Sequence, residues 1–84
     1  MSARRLTVVH REDCALCDEM IAELGALAAT RTLPPLELLD VDSSRDLKKR
    51  YGLDVPVLLL DGAVVCRHRL DVAVLERQLG AGGP

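Results

Sequence analysis

Leu6-Thr7-Val8-Val9-His10-Arg11-Glu12-Asp13-Cys14-Ala15-Leu16-Cys17 runs from a β-branched apolar segment through a charged cluster to two cysteines separated by two residues. The apolar segment has the composition of a strand, and Arg11-Glu12-Asp13 ends it in a loop. From Leu16 onward Met20, Ile21, Leu24, Leu27 and Ala28 recur at intervals of three and four, the period of a helix with one buried stripe. The cysteines therefore open a helix that follows the first strand.

That placement has chemical content. At a helix start, unpaired backbone N–H groups and the positive end of the helix dipole favour a thiolate, which makes Cys14 the candidate nucleophile. Cys17, one turn on, lies on the same side, placed to attack a mixed disulfide on Cys14 and release the substrate as a thiol. Arg11 brings a cation three residues before Cys14, while Glu12 and Asp13 stand closer in sequence and oppose it.

Working outward, Thr32 to Pro35 breaks the helical pattern, and Leu36-Glu37-Leu38-Leu39-Asp40-Val41 reads as a second strand. Asp42-Ser43-Ser44 offers capping oxygens to a short helix in which Leu47 and Tyr51 share a face, with Gly52 at its end. Asp54-Val55-Pro56 is extended and leads into Val57-Leu58-Leu59-Leu60. Asp61-Gly62 then joins that run to Ala63-Val64-Val65-Cys66 as a hairpin whose central residues need positive φ. Asp71 caps a last helix with Val72, Leu75 and Leu79 on one side, Leu70 and Leu75 forming a staple across the cap and Gly80 ending it. The order is β-α-β-α-β-β-α, with the first two strands parallel through a crossover and the last two antiparallel. The cysteine pair falls in the first βα loop, where open α/β sheets place their sites.

The composition fits one soluble domain over 1–84, with an ordered core over about 5–80 and a frayed tail over 81–84: 84 residues, 49% hydrophobic and 29% charged. With 11 basic against 13 acidic residues and Tyr51 as the only aromatic, no phosphate-binding surplus or base-stacking platform exists, so nucleic acid is excluded as a partner. No apolar run is long enough to span a membrane or serve as a secretory signal, so the expected compartment is the cytosol and the expected state a monomer. There, three cysteines do not read as a disulfide framework.

A strand, a Cys-x-x-Cys opening a helix, Val55-Pro56 before an apolar strand, Asp61-Gly62 and a closing helix together resemble the glutaredoxin-like branch of the thioredoxin fold, in particular small bacterial glutaredoxin-like proteins. The resemblance covers about Leu6 to Leu79 and implies an α/β thioredoxin-like fold, a mixed four-stranded sheet flanked by three helices. It implies that Cys14 attacks, that Cys17 resolves, and that the Val55-Pro56 bond is cis and faces the nucleophile, its backbone guiding an extended substrate. Arg11 stands where glutaredoxins often carry a basic residue. No cofactor is implied; the substrate class is a protein or glutathione-type disulfide.

Two departures bear on glutathione as a co-substrate. Ala15-Leu16 replaces the proline and aromatic that glutaredoxins commonly carry between their cysteines. Arg67-His68-Arg69-Leu70-Asp71 replaces a Gly-Gly pair and following acidic residues, leaving Asp71 at the helix start and Arg67 or Arg69 as alternative carboxylate partners. A competing reading is a non-catalytic binding module whose cysteines are structural or join Cys66 and His68 around zinc. A third is a docking domain for a redox partner that uses Lys48-Lys49-Arg50.

Overall fold

The computed structural model describes residues 4–81, with side chains described through residue 80. β1 (Leu6–His10), α1 (Ala15–Ala28), β2 (Leu36–Asp40), α2 (Arg45–Tyr51), β3 (Val57–Leu60), β4 (Ala63–Arg67) and α3 (Val72–Ala81) follow the expected order, with one 3-10 turn over Val41–Ser43. The four-stranded sheet has the order β2-β1-β3-β4. β1 runs parallel to β2 and antiparallel to β3, with Val9 opposite Val57, and β3 pairs antiparallel with β4.

Alternation along β1 divides the core between two faces. Leu6 and Val8 join Met20, Leu24, Leu58, Leu60, Val65 and Leu75 under α1 and α3. Val9 joins Val41, Val57 and Leu59 on the other face, where Leu47 and Tyr51 of α2 pack. In α1 the buried stripe is Cys17, Met20 and Leu24, at spacings of three and four; Leu16 is half-exposed and Ala28 exposed.

Some expected boundaries shift for identifiable reasons. β2 stops at Asp40, because its carboxylate accepts the Asp42 N–H at 2.8 Å and turns the chain into the 3-10 segment that buries Val41. The last helix does not end at Gly80 but runs on to Ala81, the first residue of the expected frayed tail; the rest of that tail, residues 82–84, lies outside the described residues. Asp71 caps α3 as expected, its Oδ1 accepting the Val74 N–H at 3.1 Å, and Leu70 is packed against the core cluster to which Leu75 belongs.

The hairpin between β3 and β4 has Asp61 at φ 51 and Gly62 at φ 87, so both central residues take the left-handed region. A bulge follows: Leu59 pairs with Val64 and Leu58 with Cys66, leaving Val65 as an extra residue. Without it, Val64 and Cys66 would share a face. With it, Val64 packs beside Leu59 and Tyr51 under α2, whereas Val65 and Cys66 both turn toward α1 and α3.

Candidate functional site

The register brings the sequence-predicted residues to one end of the sheet. β1 ends at His10, four residues before Cys14, and the Val9–Val57 pair sets Val55-Pro56 beside that same end. Val57 also pairs with Arg67, so the segment from Arg67 to Asp71 starts there too.

Cys14 is the N-cap of α1, with extended backbone at φ −119 and ψ 105, and its Sγ accepts the Cys17 N–H at 3.2 Å. A sulfur thus occupies the place that a serine or aspartate oxygen takes in an ordinary cap. Asp13, at φ 56, makes the turn that aims the loop into the helix. Cys14 and Cys17 are disulfide-bonded, with their Cα atoms 5.2 Å apart. The two cysteines differ in exposure: Cys14 is half-buried, while Cys17 is 0% exposed.

The Val55-Pro56 peptide bond is cis, and Pro56 is buried. Its carbonyl accepts the His68 N–H at 2.7 Å, tying the loop to the segment after β4. His68 takes φ 69 to make that bond, and Arg67 holds the same loop through an ion pair to Asp54 at 3.6 Å. The Val55 N–H and carbonyl have no hydrogen-bond partner among the described residues. Leu53, two residues before Val55, is 97% exposed.

Arg11 and Asp71 have partners of their own. Arg11 donates through Nε to Asp42 at 3.1 Å and through Nη1 to the Gly52 carbonyl at 3.1 Å. It bridges the cysteine loop to the end of α2, and its guanidinium, together with Lys48 at 3.8 Å, surrounds Asp42. The hydrogen bond from Arg11 holds the Asp42 carboxyl below the usual carboxylate range. Sequence reading had no signal for Asp42, because the pairing joins residues from separate elements. A Cβ on Gly52 would run into the Lys48 carbonyl, which accounts for glycine at this close approach.

Asp71 caps α3 with its carboxylate and turns its backbone N–H to the Cys66 sulfur. Burial pushes the Cys66 thiol above its ordinary value, with the Asp71 N–H working in the opposite direction. Cys66 belongs to the half-buried wall of the core. No group of three or more His, Cys, Asp or Glu side chains converges as a metal site among the described residues. Lys48, Lys49 and Arg50 are exposed, with Arg50 paired to Asp46 at 3.4 Å.

The family model of the glutaredoxin-like domain (DUF836) matches residues 5–80. The solution structure of protein Ne2328 from Nitrosomonas europaea is similar, with 34% identity, 93% of each chain covered and a TM-score of 0.80. Protein XcR50 from X. campestris is 33% identical over 93% of this chain and 99% of its own, with a TM-score of 0.66. Mitochondrial thioredoxin 3 from Saccharomyces cerevisiae, in its oxidized form, is similar in fold, with 20% identity over 96% of this chain and 80% of its own and a TM-score of 0.65. The fold is therefore the expected thioredoxin-like α/β fold.

Proposed function

The chain belongs to the glutaredoxin-like domain family, and from that premise we propose that it is a thiol-disulfide oxidoreductase working through a dithiol/disulfide cycle of Cys14 and Cys17. The observation that carries the reading is the unequal exposure of two bonded cysteines at a helix start, Cys14 half-buried and Cys17 fully buried. An attacking thiol must meet its substrate; a resolving thiol needs to meet only its neighbour.

In the reduced state the Cys17 N–H, already aimed at the Cys14 sulfur at 3.2 Å, and the positive end of α1 stabilise a thiolate on Cys14. This thiolate attacks one sulfur of the substrate disulfide. That S–S bond breaks, a mixed disulfide forms on Cys14, and the leaving thiolate takes a proton from solvent. Cys17 then loses its proton, attacks the Cys14 sulfur and releases the second substrate thiol. Two electrons have passed to the substrate and the protein ends as the disulfide; a thiol reductant restores it by the reverse exchange.

Val55 supplies the guiding edge in this proposal. Its unpartnered backbone N–H and carbonyl offer one strand-type pairing to an extended substrate segment, while the Pro56 carbonyl is already taken by His68. Substrates are disulfides of polypeptides or small thiols, and the expected compartment is the cytosol. No helix among the described residues is long and apolar enough to cross a membrane.

Exchange with a model disulfide tests the roles. Cys14→Ser is expected to abolish exchange, whereas Cys17→Ser retains attack and accumulates a mixed disulfide on Cys14, seen as an added mass that dithiothreitol removes. Equal loss in both variants without trapping would overturn the assignment.

A further inference from the structure

The charges around the disulfide are unequal in sign. Glu12 and Asp13 lead directly into Cys14, Asp18 and Glu19 follow Cys17 on α1, and all four are exposed, without an ion-pair partner among the described residues. The single cation in this span, Arg11, is held toward the end of α2 by Asp42 at 3.1 Å and by the Gly52 carbonyl, and Lys48 shares the same carboxylate at 3.8 Å, so these two cations are drawn together on the α2 side of the loop. Of the other bases at this end of the sheet, Arg67 is paired with Asp54, and Arg69 faces Glu19 and Glu23 across an open groove. The surroundings of the sulfurs thus carry a surplus of carboxylates. Exposed charges act over about 8–10 Å at physiological ionic strength, far enough to act on residues flanking a docked substrate disulfide.

We propose that this surplus sets the substrate class: the pair exchanges with disulfides held in cationic polypeptide segments and discriminates against anionic ones such as glutathione disulfide, with Asp42 a specificity-determining residue because it withdraws Arg11. The inference rests on the oxidoreductase reading and deepens it. Leu53 adds an apolar contact next to the Val55 backbone, fitting a polypeptide better than a small, doubly carboxylated thiol.

The full chain, reduced with dithiothreitol and desalted, is mixed with either of two peptide disulfides of equal length whose cysteines are flanked by Lys or by Glu, and with glutathione disulfide. Each rate is divided by that of the same disulfide with mercaptoethanol, a neutral thiol, to remove intrinsic reactivity. At low salt the Lys peptide is expected to react about tenfold faster than the Glu peptide, the ratio falling toward one as salt screens the rim. Glu12→Gln with Asp13→Asn should lower the ratio, asparagine accepting the left-handed backbone at position 13. Asp42→Asn, which frees Arg11, should raise the rates on the Glu peptide and on glutathione disulfide. Both peptides are read on one preparation, so partial loss of folded protein cancels in the ratio. Equal normalised rates, or a faster Glu peptide, overturn the specificity and leave the oxidoreductase reading standing; no reaction with any of the three disulfides overturns both.

Discussion

Cys66 and Asp61 show how much a neighbour decides about a titrating side chain. Cys66 resembles Cys14 in being half-buried, yet Cys14 has a helix start beneath it, whereas burial against the core pushes the Cys66 thiol up. In the fully reduced protein at about pH 7.5, iodoacetamide is expected to modify Cys14 first and Cys66 at least about tenfold more slowly, read by peptide mass. Comparable rates would show that the helix start does not activate Cys14. Asp61 accepts the Arg5 N–H at 2.8 Å and the Arg4 Nε at 3.1 Å, and the first of these bonds does most to hold its carboxyl below 3.8. A carboxyl whose folded value is depressed stabilises the protein fully above its unfolded value and ceases to do so as pH falls through the folded one. Asp61→Asn should therefore be less stable near neutrality and lose stability less steeply as pH falls below about 4, in urea titrations at each pH.

At the scale of elements, Asp61-Gly62 is legible in the sequence because its turn chemistry is local. Gly62 sits at φ 87 with open space where a Cβ would stand, so Gly62→Ala is a purely backbone substitution. It should cost about 1–2 kcal/mol, seen as a lower denaturation midpoint with an unchanged slope. The ranges of β1 and β3, the helix that begins at the cysteines and the cap of α3 were legible for the same reason: periodicity and capping act within a few residues. The bulge at Val65 was not, since Val64-Val65-Cys66 is apolar throughout and only pairing with β3 shows which residue is extra. The partner of Arg11 was equally hidden. Asp42 is far along the chain, and only the parallel pairing of β2 with β1 brings the segment after Asp40 beside the cysteine loop. Gly80 misled because glycine is favoured just past a helix end but can also sit inside one.

Across the whole molecule, stability rests on a small aliphatic core. A chain of this length has roughly 4–13 kcal/mol in hand, at about 0.05–0.15 kcal/mol per residue. Leu75 has 0% exposure and is the fully buried residue through which α3 holds the sheet. Leu75→Ala should cost about 2–5 kcal/mol, lowering the thermal midpoint by many degrees and removing the cooperative transition if the total lies near the bottom of that range. A loss below about 1 kcal/mol would show that α3 contributes little to the cooperative unit. The order β2-β1-β3-β4 has a further effect during synthesis. The strand made first lies in the middle and finds its second partner only when residues 57–60 have left the ribosome. At about 5–20 residues per second, Cys14 and Cys17 spend a time on the order of seconds as two thiols of a nascent chain. Throughout that interval they lack the completed sheet against which their helix packs, so the difference in exposure that would make one attack and the other resolve is acquired only once β3 is free to pair with β1.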